Sequence, residues 1–183
     1  MLQMEQKDYS LEIVNVLVKG ENHIRGIAKI LKINHMMVVR KIDELFKKNV
    51  VDFNSNGRNK SYFLKNNSEA NAYLLMMENY KLINLLLKYP FLREVVFKIQ
   101  KNKKIKFACI FGSYSKGLEK KNSDVDIYLD IEDINLKKEL SKLDSKFSIK
   151  IGKWDNKNIL IKEIIDNHVI IKGGDVYYER VFN

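Results

Sequence analysis

The sequence predicts an α+β chain in three successive parts: short helices closed by a hairpin, two connecting helices, and a mixed sheet flanked by helices. Three observations carry that expectation. Apolar residues recur at helical spacing up to Phe46 and then switch to strand-like alternation around Ser55-Asn56-Gly57. From Ser68 to Lys88 helical spacing is sustained without a break. From Ile105 onward, short apolar runs of strand type alternate with helical stretches. The boundaries expected are 1–67, 68–104 and 105–183.

Composition narrows the class. With 45% hydrophobic and 31% charged residues, a chain of 183 residues folds into a globule rather than staying disordered. A single cysteine, Cys109, excludes a disulfide framework and suits a reducing compartment. No apolar run reaches membrane-spanning length, and the opening MLQMEQKDYS is too polar and acidic for a signal peptide, so the expectation is a cytoplasmic protein. The net charge of +10 is uneven: residues 1–67 hold 12 Lys and Arg against 7 Asp and Glu, residues 68–104 hold 7 against 3, and residues 105–183 hold 14 against 13. Basicity in the first half fits a nucleic-acid surface, and it fits equally a Lys- and Asn-rich codon bias.

Taken in order, Ser10 is placed to cap a first helix with Leu11, Val14, Leu17 and Val18 on one stripe, stopped by Gly20. Ile24, Ile27, Ala28 and Leu31 mark the buried face of a second helix over about 23–32. Asn34 then caps a third, with Val38, Ile42, Leu45 and Phe46 inward. Residues 50–64 read as a two-stranded hairpin. Helix, helix, helix and hairpin in this order resembles a winged helix-turn-helix domain. That resemblance implies a third helix in the major groove of double-stranded DNA, with His35, Met37, Arg40 and Lys41 facing it, and Arg58 and Lys60 on phosphates beside Lys47 and Lys48. Met36 and Met37 fit core packing as well as base contact, and a winged helix also serves as a docking or dimerisation module.

Ser68 caps the long helix to Lys88. Its apolar residues lie almost all round, from Tyr73, Leu74 and Leu75 to Leu86 and Leu87, so it is expected either packed between domains or as a homodimer contact. Pro90 opens the next helix, which runs to about Lys101.

Residues 105–130 hold the chemistry. An apolar strand from Ile105 to Phe111 ends at Gly112-Ser113, where the glycine allows close backbone approach and a short helix opens toward an anion. Past a charged loop, Asp124, Asp126, Tyr128 and Asp130 alternate with Val125, Ile127 and Leu129, which puts the carboxylates on one face of a second strand. Carboxylates at i and i+2 lie roughly 6.5–7 Å apart at Cα, close enough to share a divalent ion bridged by phosphate oxygens. Gly112-Ser113, ten residues, then Asp124-Val125-Asp126 resembles the signature of the DNA polymerase β-like nucleotidyltransferase superfamily, in particular its minimal nucleotidyltransferase branch. Phe111 before the turn and Ser123 before the first aspartate fit the same pattern. The resemblance implies a nucleoside triphosphate held by Gly112 and Ser113, Mg²⁺ held by Asp124 and Asp126 as the catalytic pair, Lys116 or Lys120 neutralising phosphate charge, and transfer of a nucleoside monophosphate. In that branch the acceptor is in some cases a toxin partner protein.

The rest of the chain supplies a helix with Leu136, Leu140 and Leu143, a third strand over 147–151, a helix with Ile159, Leu160, Ile164 and Ile165, and a last strand over 168–171 ending at Gly173-Gly174. The chain departs from the resemblance on the third strand. Active relatives carry a third carboxylate there, whereas the outward residues here are Ser148 and Lys150, with Asp130 and Asp144 off the expected position. Nucleotide binding with slow or absent transfer is expected. The alternative is a DNA-binding regulator whose second domain only binds nucleotide, and a third reading is a docking scaffold.

Overall fold

The computed structural model describes residues 7–57 and 59–182. The chain divides into two compact units, Met1–Tyr80 and Lys81–Asn183.

The N-terminal unit starts with α1 (Tyr9–Leu17), α2 (Ile24–Leu31) and α3 (His35–Lys47). The cap of α1 is Asp8 rather than Ser10: its carboxylate accepts the backbone N–H of Ser10 at 2.9 Å and of Leu11 at 3.2 Å, which leaves Ser10 inside the first turn. Asn34 caps α3 as its position predicts, accepting the N–H of Met36. Ile13, Val14, Ile27, Val38, Ile42 and Leu45 are buried. Phe46 is not inward; it is exposed and packs its ring 6.0 Å from Phe53 on the hairpin. The hairpin pairs β1 (Val51–Asn56) with β2 (Asn59–Leu64) in antiparallel register, Asn56 opposite Asn59. Its turn therefore lies past Asn56, one step later than Ser55-Asn56-Gly57 suggests, with Gly57 at φ +60°. Three helices closed by this hairpin make the winged helix-turn-helix arrangement.

The helix α4 (Ser68–Lys88) ends at Lys88 as expected, but its cap is Asn67 rather than Ser68: the Asn67 Oδ1 accepts the Ala70 N–H at 2.9 Å, which leaves Ser68 inside the first turn. In the second unit, Pro90 opens a 3₁₀ turn (Pro90–Leu92) that leads into α5 (Arg93–Lys101). Then follow β3 (Ala108–Phe111), α6 (Gly112–Lys116), β4 (Val125–Asp130), α7 (Ile134–Ser141), β5 (Phe147–Gly152), α8 (Ile159–Asp166), β6 (Val169–Lys172) and α9 (Gly174–Phe182). The four strands lie in the order β5-β4-β3-β6, with β3 antiparallel to both neighbours and β4 parallel to β5. Ladder pairing of β3 begins at Ala108, so Ile105 and Phe107 are buried ahead of the strand rather than in it.

One continuous apolar core joins Leu82, Leu85, Val95 and Ile99 to the inward residues of the sheet, Ile110, Ile127, Leu129 and Ile149. These alternate along β4 with Asp126, Tyr128 and Asp130, so the polar row lies on the opposite face. There a second group of rings gathers: Phe107 lies 5.7 Å from Tyr177 and 5.3 Å from Trp154, with Tyr128 at 6.2 Å. Tyr177 belongs to α9, a helix the sequence reading stops short of at Gly173-Gly174. Gly173 permits that helix to follow β6: it sits at φ +78°, and a Cβ there would lie 2.1 Å from the Lys106 carbonyl oxygen.

Candidate functional site

The site forms where β3 ends. Phe111 is paired with Asp126 across the β3–β4 ladder, and the chain then turns through Gly112 at φ +69° into the five-residue α6. A Cβ on Gly112 would stand 2.7 Å from Asp126 Oδ2. The backbone of the Gly-Ser turn and this carboxylate thus lie side by side, and any side chain at 112 would both strain the backbone and push the carboxylate aside. Ser115 braces the turn, its hydroxyl donating to Gly112 O at 2.9 Å, with Asn167 O also within reach at 3.3 Å. Ser113 is half-buried at the opening of α6.

Asp126 is half-buried and Asp124, one residue ahead of β4, is exposed; among the described residues neither carboxylate has a hydrogen-bond or ion-pair partner. Two unneutralised carboxylates beside a glycine turn repel each other and any phosphate unless a cation stands between them. A hard divalent ion such as Mg²⁺ suits this oxygen donor set. Among the described residues, no group of three or more His, Cys, Asp or Glu side chains comes together to hold a metal.

The parallel register of β4 and β5 sets Ser148 beside Asp126 and Lys150 beside Tyr128. The neighbour of Asp126 on β5 is therefore a serine rather than a carboxylate, and Lys150 lies one alternation further along. Asp130 is committed elsewhere. Arg180 on α9 donates to its Oδ2 at 2.7 Å and the Trp154 N–H to its Oδ1 at 3.2 Å. Asp144 accepts the Lys146 N–H in the turn before β5. Tyr128, buried beside Asp130, has its hydroxyl pushed up in pKa by burial first and by that carboxylate second.

Of the basic candidates, Lys116 donates to Glu163 at 3.0 Å, and the Lys120 N–H donates to Ser123 Oγ at 2.8 Å, which closes the loop ahead of Asp124. The same loop has an anchor that the sequence reading missed. Glu119 accepts from the Tyr89 hydroxyl and from Lys88 at the end of α4, and these two bonds, Tyr89's first, hold its carboxyl down at about 2. Tyr114, on the helix that the loop leaves, has a raised pKa, through burial and then through the field of Glu119, Asp144 and Asp124. Nothing in the local sequence separates Glu119 from its charged neighbours; its partners lie about thirty residues away.

In the N-terminal unit, His35 and Arg40 are exposed on α3, while Met37 is half-buried. Met36, not Met37, is the methionine that faces out, at 60% exposure. Lys41 is tied to Glu44 and Lys47 to Asp43, each at 2.7 Å, and Lys48 donates to the Tyr73 hydroxyl at 2.9 Å. Lys60 is exposed with its ammonium 3.9 Å from the Phe53 ring centroid, and Arg58 lies outside the described residues. Among the described residues no helix is long and apolar enough to cross a membrane.

Comparison with known proteins gives a match between residues 94–176 and the family model described as Polymerase beta, Nucleotidyltransferase. No curated protein matches the chain. Among solved structures, the chain is similar to the transcriptional repressor BigR from Xylella fastidiosa, at 19% identity and TM-score 0.35 over 37% of this chain and 67% of that one. It is similar to the adhesin competence repressor AdcR from Streptococcus pyogenes, at 16% identity and TM-score 0.41 over 50% and 69%. It is also similar to a toxin-antitoxin crystallised with AMP-PNP, at 24% identity and TM-score 0.35 over 56% and 82%.

Proposed function

With a polymerase β-type nucleotidyltransferase domain over residues 94–176 as the premise, we propose that the C-terminal unit binds a nucleoside triphosphate together with Mg²⁺ and transfers a nucleoside monophosphate slowly to an acceptor, while the winged helix binds double-stranded DNA. The observation that carries the nucleotide half is the contact between Gly112 and Asp126, with both aspartates unpaired among the described residues. In this reading the Gly112-Ser113 backbone and the Ser113 hydroxyl receive phosphate oxygens, and Gly112 lets them approach without a side chain in the way. Asp124 and Asp126 would hold Mg²⁺, which when bound offsets the charge of the triphosphate. Lys116, paired with Glu163, reaches a phosphate only by giving up that partner, so its role is secondary.

Slow transfer follows from Ser148. Its hydroxyl adds no negative charge beside Asp126, so the group that attacks the phosphorus receives little help in losing its proton. The same observation favours a second reading, a DNA-binding regulator whose nucleotide domain only binds nucleotide. Incubating the purified protein and cell extract with α-labelled ATP, CTP, GTP or UTP and Mg²⁺ separates the two. Label passing to a protein, nucleic acid or small molecule, and lost in Asp124→Asn, supports transfer. Retention of unreacted nucleotide without labelled product supports the regulator, and no retention at all removes both.

A further inference from the structure

The segment 117–124 leads from α6 to β4 and carries Asp124 at its far end. Its two ends are fixed through the backbone: the Leu118 N–H donates to the Ser113 carbonyl at 3.0 Å, and the Val125 N–H to the Lys146 carbonyl at 2.8 Å. Between these points the chain closes on itself. The Ser123 N–H donates to the Lys120 carbonyl at 2.9 Å while the Lys120 N–H donates to Ser123 Oγ at 2.8 Å, and Lys120, Lys121 and Asn122 are exposed. Among the described residues, Glu119 makes the only side-chain hydrogen bonds that leave the segment.

Its partners are the last residue of α4 and the residue after it. Glu119 Oε1 accepts from the Tyr89 hydroxyl and from the Lys88 ammonium, the latter at 3.0 Å, and the Glu119 side chain is 17% exposed. Charge-assisted bonds shielded to this degree hold a loop more firmly than an open surface ion pair does. Tyr89 is itself fixed, its N–H donating to the Leu85 carbonyl at 2.8 Å and its ring meeting Tyr114 edge-on at 5.0 Å. Tyr114 is buried on α6, two residues past Gly112. Tyr89 thus supports both flanks of the candidate site, the Gly-Ser turn through its ring and the Asp124 segment through its hydroxyl.

Asp126 needs no such support, because β4 is paired on both sides of it. Asp124 stands ahead of the ladder, exposed, with the like charge of Asp126 pushing it away. If the segment were loose, closing Asp124 onto a cation would cost the ordering of several backbone residues. We propose that Tyr89, Glu119 and Lys88 are positioning residues that hold the Asp124 segment in place for a divalent cation before the cation arrives. The assignment rests on the nucleotide and metal reading of the site. It predicts a separation of effects: loosening the segment weakens the hold on Mg²⁺ and leaves the Gly112-Ser113 turn as it was.

The test is calorimetric titration of ATP into the full chain at stepped Mg²⁺ concentrations, for wild type, Tyr89→Phe, Glu119→Gln and Asp130→Asn, with amide hydrogen exchange followed over residues 117–124. Tyr89→Phe removes the hydroxyl while keeping the ring on Tyr114 and every charge in place. Tyr89→Phe and Glu119→Gln should each need roughly tenfold more Mg²⁺ for half-maximal ATP binding, the lower end of what groups orienting metal ligands contribute. At saturating Mg²⁺ their ATP affinity should return to the wild-type value, and exchange over 117–124 should quicken in both. Asp130→Asn, which loses an ion pair at the other end of β4, should keep the wild-type Mg²⁺ requirement. An unchanged Mg²⁺ requirement in Tyr89→Phe, with wild type binding ATP, overturns this assignment alone. A rise confined to Glu119→Gln does so too, since the effect would be one of charge, and so does an equal rise in Asp130→Asn, since it would follow general loss of stability. Failure of wild type to bind ATP at any Mg²⁺ concentration overturns this assignment together with the nucleotide reading.

Discussion

The two ends of β4 carry the same side chain on the same face and use it in opposite ways. At the start of the strand, Asp126 rests against the Gly112 backbone with no partner among the described residues. At its end, four residues on, Asp130 is held by Arg180 and by the Trp154 N–H. The Asp130 side chain is 11% exposed and its charge is met inside the fold, so it behaves as a clasp between β4 and α9. Asp126 keeps its charge available to something outside the fold. Burial and alternation do not distinguish these carboxylates; what distinguishes them is whether a partner stands across from each.

The comparison can be broken most sharply at Gly112. Alanine there must adopt φ +69° and press its methyl onto Asp126 Oδ2, which strains the backbone by roughly 1–2 kcal/mol and displaces the carboxylate. Titration calorimetry should show nucleotide affinity in Mg²⁺ lowered by between tenfold and a hundredfold, with the fold retained by circular dichroism. Asp130→Asn tests the other end. Loss of a charge-assisted pair of low exposure, beside an Arg180 whose Nη1 is already buried without a partner among the described residues, should cost about 1.5 kcal/mol in urea unfolding. Nucleotide affinity should be unchanged.

Ser148→Asp sharpens the comparison by giving Asp126 a carboxylate neighbour across the β4–β5 register. Transfer of labelled nucleotide should rise about tenfold, and Mg²⁺ should raise the melting temperature of the variant more than that of wild type, because the added carboxylate is tolerated only with a cation. Lys150→Asp, beside Tyr128 instead, should do less.

The smallest effect concerns Glu119. Its folded carboxyl is held at about 2, below the unfolded value, so its contribution to stability is complete above about pH 4.3 and fades as pH falls toward 2. Glu119→Gln should therefore lose less stability than wild type across that acid range, with the two curves diverging most at neutral pH; superimposed curves would remove Tyr89 and Lys88 as its partners.

Much of this was legible in the sequence where a local rule decides. The extent of α4 to Lys88 follows from its unbroken apolar spacing, the turn at Gly112 from a glycine ending an apolar strand, and the outward Ser148 and Lys150 from alternation alone. Where two local candidates compete, the feature falls a residue or two from where spacing alone puts it: Asp8 rather than Ser10 caps α1, Asn67 rather than Ser68 caps α4, and the hairpin turn lies past Asn56. What stayed hidden are pairings between distant segments. Arg180 with Asp130, and Glu119 with Lys88 and Tyr89, span thirty to fifty residues, and no spacing in the chain signals them. The helix α9 stayed hidden as well, because a glycine pair that usually ends an element here serves to start one.

The most direct measurement compares the two ends of β4 in one experiment: calorimetric titration of ATP into wild type, Asp126→Asn and Asp130→Asn, each with Mg²⁺ and with EDTA. Wild type and Asp130→Asn should bind ATP only with Mg²⁺, and Asp126→Asn should lose on the order of a hundredfold in affinity and most of its metal dependence. Equal ATP affinity for wild type and Asp126→Asn, or binding that survives EDTA, would contradict the assignment of Asp126 to a nucleotide and metal site.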